Sequence, residues 1–162
     1  MINNEFHTVR GYQLLRKSNR QLTSAMEDYL EMIYRNIESE GYLRINELAK
    51  RLHVKASSAT KMVQKLGEVG LITYKKYGII VLTESGKEIG EYLLRRHTII
   101  ENFLKTIGIT ENYLVETELI EHNISANTLE HMDMMNKYFI KYPDMSKSIK
   151  NFITENKKNK PV

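Results

Sequence analysis

The chain has 162 residues, enough for one ordinary domain or two small ones sharing a helix, and at 41% hydrophobic it can build a core. It has no cysteine, which excludes disulfides and thiolate metal sites, and no apolar run nears the roughly 20 residues that cross a bilayer; with no signal-peptide pattern at its start, a cytoplasmic protein is expected. The net charge of +4 is uneven: Arg44 to Lys87 holds nine basic and three acidic residues, a net +6 that leaves −2 for the rest, so a nucleic-acid contact surface is expected on one part only.

Residues 1–23 form an extension with weak periodicity and the cations Arg10, Arg16, Lys17 and Arg20, readable as an arm or as a short helix around Tyr12, Leu14 and Leu15. Ser24 and Glu27 have capping-box spacing, and Met26, Tyr29, Leu30, Ile33, Tyr34 and Ile37 follow at helical period up to Gly41. Asp28 and Glu31 lie off that stripe, one turn apart; first-turn acids are favoured by the helix dipole, an explanation stronger for Asp28 than for Glu31. A short helix with Ile45, Leu48, Ala49 and Leu52 inward is predicted next. After the brief turn His53-Val54-Lys55 comes a second, from about Ser57 to Val69, burying Ala59, Met62, Val63, Leu66 and Val69. Its outer face shows Ser57, Ser58, Thr60, Lys61, Gln64 and Lys65, which makes the pair a helix-turn-helix. The β-rich runs Leu71–Lys75 and Ile79–Leu82 flank Lys76-Tyr77-Gly78 as a hairpin. A hairpin directly after a recognition helix is a wing, and cations at its tip favour DNA binding over a mere scaffold.

Thr83 is placed to cap a long helix from Glu84 to about Thr106, with His97 at the edge of its apolar face; a lone histidine there is more often a core residue than a ligand. Gly108 breaks that helix, and Thr110 is read as the cap of an acidic one. Ser125 is read as the cap of another, which offers Leu129, Met132, Met135, Phe139 and Ile140 as a buried or partner-facing side and closes at Pro143. The remainder is expected to begin as helix from Ser146 and to end in a basic, disordered tail around Lys157-Lys158-Asn159-Lys160.

Within the acidic helix, Glu118, Glu121 and His122 stand at i, i+3 and i+4 and so share a face. No Lys or Arg occurs from Thr106 to Asn136. Carboxylates without counter-charges repel, and a bound cation relieves that, although taken alone these residues are better explained as an acidic solvated face. The fold leaves Asp28, Glu31, His97, Glu118, Glu121 and His122 unexplained. Hard carboxylates with imidazoles and no thiolate suit Mn²⁺ or Fe²⁺, and less exclusively Zn²⁺ or Co²⁺; six donors exceed what one tetrahedral ion needs. No phosphate-cradling loop or nucleophile elbow is present, so no enzyme is expected, with a di-metal hydrolase a remote reading.

The runs Met26-Glu27-Asp28-Tyr29-Leu30-Glu31-Met32-Ile33-Tyr34, Ser57-Ser58-Ala59-Thr60-Lys61-Met62-Val63-Gln64-Lys65-Leu66, Arg96-His97 and Glu118-Leu119-Ile120-Glu121-His122 together resemble the diphtheria-toxin-repressor family, closest to its short manganese-sensing branch, over about residues 24 to 142. The resemblance implies a mainly α chain: a winged helix-turn-helix over 24–83, a metal-binding and dimerisation helical domain over 84–142, and a C-terminal helix and basic tail over 143–162. It implies a homodimeric repressor of metal-uptake genes acting on palindromic operator double-stranded DNA, with neither a membrane nor an organic cofactor involved. The implied ligands of a binuclear site are Asp28, Glu31, His97, Glu118, Glu121 and His122. Asp28 stands where the iron-sensing branch has Met, and Glu118 where it has Cys, so hard oxygen replaces soft sulfur. That supports two Mn²⁺ per subunit, with Fe²⁺, Co²⁺, Zn²⁺ or Cd²⁺ as substitutes. Expected DNA contacts are Ser57, Ser58, Thr60, Lys61 and Gln64 toward bases or phosphates, and Lys65, Lys75, Lys76 and Tyr77 mostly toward the backbone. The alternative is a MarR-like winged-helix regulator of an organic ligand.

Overall fold

The computed structural model describes residues 22–158 and, before them, Gln13 alone; expectations for the rest of the N-terminal extension and for Asn159 and Lys160 lie outside the described residues. The chain divides into two compact units, residues 1–94 and 95–162, and the division falls inside one long helix.

The first unit opens with α1, Ser24–Glu40. Its apolar stripe buries as the spacing requires, with Leu30 and Ile33 at 0% exposure. The expected Ser24–Glu27 capping box is not what starts it. Thr23, one residue earlier, takes the extended cap conformation and its Oγ1 accepts from the Met26 N–H at 3.3 Å. Two adjacent hydroxyl residues compete for the cap, and once Thr23 has it, Glu27 falls one position past the box and is buried instead. Gly41 ends the helix in the left-handed region, φ +80°, its N–H donating to the Ile37 carbonyl.

Next come β1 (Leu43–Arg44), α2 (Ile45–Arg51) and α3 (Ala56–Glu68). The turn between the helices is closed by His53 at φ +52° and by the Val54 N–H on the Ala49 carbonyl. The hairpin is β2 (Ile72–Lys75) and β3 (Ile79–Leu82), joined by a 3₁₀ turn at Lys76–Gly78. The sheet is antiparallel in the order β1-β3-β2, with Ile72 opposite Leu82 and Lys75 opposite Ile79. The third strand, β1, pairs Leu43 with Ile80 and is too short for periodicity to reveal. Leu30, Ile33, Leu43, Leu48, Val63, Leu66, Ile72, Ile80 and Ile89 make the core under this helix-turn-helix and wing.

Helix α4, Glu84–Thr106, starts as its cap predicts: the Gly86 N–H donates to Thr83 Oγ1 at 3.0 Å. The same hydroxyl donates to the Gly70 carbonyl at 2.8 Å, tying the start of α4 to the turn before the wing.

In the second unit, Gly108 (φ +94°) breaks α4, followed by α5 (Tyr113–Glu121), α6 (Ala126–Lys141) and α7 (Pro143–Lys158). The expected Thr110 cap of α5 is replaced by Asn112 in the left-handed region, φ +54°, without a side-chain cap bond; asparagine tolerates that conformation where threonine does not. Ser125 does cap α6, accepting from the Thr128 N–H at 3.1 Å. Pro143 both ends α6 and opens α7, since a first-turn residue needs no N–H. Lys157 and Lys158 therefore continue a helix rather than a disordered tail. Ile99, Ile100, Leu104, Leu129 and Phe139 form the core, and the buried Asn136 side chain donates to the Ile99 carbonyl at 2.9 Å.

Candidate metal centre and nucleic-acid interface

The second unit gathers four of the six expected ligands. On α5 the i, i+3 spacing puts Glu118 and Glu121 on one side; His122 is the C-cap but keeps right-handed helical angles, so it stays on that face. Glu118, Glu121 and His122 each offer a donor atom within 4.8 Å of the other two. His97, from α4, presents Nδ1 to Glu121 Oε2 at 3.1 Å and lies 4.0 Å from Glu118 Oε1. His97 is thus a partner of the acidic helix and not simply a core histidine.

Glu121 decides against the solvated-face explanation. It is 1% exposed, whereas the Glu118 side chain remains 53% exposed. Burial pushes the Glu121 carboxyl up, but the hydrogen bond from His97 and the charges of His97, Arg96 and His122 outweigh it and hold the group below the usual carboxylate range. The result is a buried, ionised oxygen donor beside two imidazoles and a second carboxylate. That donor set fits a hard or borderline divalent cation and supplies no sulfur ligand that would favour a soft one.

Asp28 and Glu31 belong to the first unit, where α1 holds them off the apolar stripe; Asp28 is half-buried and Glu31 is 8% exposed. Sequence reasoning missed one partner. Arg35, one turn on, donates from Nη2 to Glu31 Oε1 at 2.6 Å. Its i+4 spacing from Glu31 was a visible signal.

The expected DNA-contact residues also lie in the first unit. Ser57, Ser58, Lys61, Gln64 and Lys65 are exposed on α3. Thr60 is half-buried and its hydroxyl donates to the Ala56 carbonyl at 2.8 Å, which leaves only its acceptor lone pairs for a base or phosphate. Lys75 is exposed at the end of β2, and Lys76 opens the 3₁₀ turn at the wing tip. Tyr77 is 88% exposed with φ +66°.

Comparison with known proteins agrees with both halves. Residues 21–80 match the family profile described as "Iron dependent repressor, N-terminal DNA binding domain", and residues 83–150 match "Iron dependent repressor, metal binding and dimerisation domain". A relative named HTH-type transcriptional regulator MntR, from Oceanobacillus iheyensis, is 44% identical over 134 residues, covering 82% of this chain and 91% of the relative. A protein of the same name from Listeria monocytogenes is 40% identical over 140 residues, covering 86% and 96%. Among solved structures, the manganese regulator SloR aligns with a TM-score of 0.62 at 30% identity over 70% of this chain, and T. acidophilum IdeR with 0.59 at 25% over 65%. The chain spans about half the length of those two structures, 54% and 51%. These matches do not favour the MarR-like alternative.

Proposed function

The chain belongs to the iron-dependent repressor family, metal-dependent DNA-binding regulators of transcription, and on that premise we propose that it is a Mn²⁺-responsive repressor of metal-uptake genes. The observation that carries the metal half is the buried, ionised Glu121 paired with His97. Both family profiles support a homodimer on operator DNA, and a palindromic operator is the geometry two-fold symmetry calls for.

In this reading Asp28, Glu31, His97, Glu118, Glu121 and His122 hold two ions per subunit. Metal supplies the positive charge that these six unprotonated donors lack when they are brought close, and it sets coordination number and geometry. Asp28 and Glu31 lie on α1, whose other face packs in the helix-turn-helix core, so fixing their carboxylates fixes the DNA reader. A reader free to sample orientations loses operator affinity in proportion to the fraction correctly placed. In the bound dimer the two α3 helices enter successive major grooves about 34 Å apart, or a multiple of it. Ser57, Ser58, Lys61 and Gln64 face bases or phosphates, with Thr60 as an acceptor, while Lys65, Lys75, Lys76 and Tyr77 contact the flanking backbone. Leu114, Val115 and Leu119 on α5, 49–65% exposed, supply apolar surface for a second copy to cover. No helix among the described residues is long and apolar enough to cross a membrane, in keeping with work at cytoplasmic DNA.

Calorimetric titration with Mn²⁺ tests this reading. Two equivalents per subunit are expected, with one lost in His97→Ala. Absence of any stoichiometric divalent binding contradicts it, and uptake of Zn²⁺ but not Mn²⁺ overturns the metal assignment.

A further inference from the structure

We infer that Arg35 sets the metal threshold of this protein by competing for Glu31. The inference rests on the ligand role proposed above for Glu31. The Arg35 Nη2–Glu31 Oε1 separation of 2.6 Å is a short charge-assisted bond, and the pair is asymmetric: 44% of the Arg35 side chain is exposed but only 11% of that of Glu31. The carboxylate is therefore the desolvated partner, and the guanidinium is held over one of its oxygens by one helical turn of α1.

Two consequences follow for a divalent cation that takes Glu31 as ligand. Glu31 Oε1 already accepts a hydrogen bond from Arg35, so a cation that took that oxygen would compete with the guanidinium for it unless Arg35 swung away. A fixed positive charge then lies within about one side-chain length of the ion. Like charges at that range repel by an amount worth about a factor of five to ten in affinity once the half-exposed guanidinium is discounted for solvent screening. Both effects act in the same direction. Arg35 weakens the uptake that depends on Glu31, and acts less on a site built on Glu118, Glu121 and His122, a group that does not include Glu31. Its role is thus to raise the free-metal level at which the ion held by Glu31 is taken up. An arginine suits that task better than a lysine, because its planar fork holds one orientation on a carboxylate.

The test is Mn²⁺ calorimetry on Arg35→Met, which keeps the apolar stem, and Arg35→Lys, which keeps the charge. Arg35→Met is expected to bind one of its two ions about fivefold more tightly, with the other changed less and the difference widening at low ionic strength. Arg35→Lys is expected to stay nearer wild type. A single cooperative melting transition of both metal-free variants shows that the fold is intact. Arg35→Met binding at wild-type strength or more weakly overturns the inference. Wild-type protein binding no Mn²⁺ at all overturns instead the ligand role of Glu31 on which it stands.

Discussion

At the scale of single residues, Glu121 carries the most chemistry. Its ionised form is stabilised by His97, Arg96 and His122, so its folded pKa lies below the unfolded carboxylate value of about 4.3. The contribution to stability is therefore full above that value and is lost as pH falls through the lower folded one. Metal-free Glu121→Gln should be less stable than wild type by about 1–3 kcal/mol at pH 7, and the difference in melting temperature should shrink on acidification below about pH 4. Metal uptake responds at higher pH, because imidazole ligands must be unprotonated; Mn²⁺ affinity should weaken below about pH 6. At the wing tip, Tyr77 pays for a left-handed backbone while its ring stays in solvent. Tyr77→Gly should stabilise the metal-free protein by about 1 kcal/mol while weakening operator binding. It should not change the salt dependence of that binding, whereas Lys75→Ala should reduce the log–log salt slope by about 0.9.

Elements differ in how far the sequence reveals them. The helix-turn-helix and wing are legible because apolar spacing switches from helical period in α3 to β-rich runs around Lys76-Tyr77-Gly78. The two-residue β1 has no period to read, and Thr23 and Asn112 took caps from Ser24 and Thr110 because several residues nearby could each serve. The face shared by Glu118, Glu121 and His122 could be read from spacing, yet nothing in spacing says that Glu121 is buried and Glu118 is not. Neither could periodicity show that two glycines set how α4 packs in the first unit. A Cβ on Gly86 would overlap the Leu71 carbonyl oxygen, and one on Gly90 would lie 2.6 Å from Tyr34 Cβ. Burial, with Glu38 and Glu91 nearby, pushes the Tyr34 phenol up to about 12, so this contact stays neutral and cannot be loosened by ionisation. Backbone on one side and a helical Cβ on the other cannot give way. Gly86→Ala and Gly90→Ala should each cost about 1–3 kcal/mol, read as a lower midpoint in urea at an unchanged slope.

At the scale of the whole molecule, a basic reader and an acidic ligand helix lie in different parts of one chain, which is why the charge asymmetry of the sequence was informative. The family profiles cover both parts in the same order. In the proposed mechanism, metal bound by Glu121 and its partners is what makes the reader competent. Its most direct test is a gel shift on operator DNA with and without Mn²⁺, for wild type and Glu121→Ala. Wild type should bind only with Mn²⁺, and Glu121→Ala should fail under both conditions. Full-strength binding by either protein without metal would contradict the account.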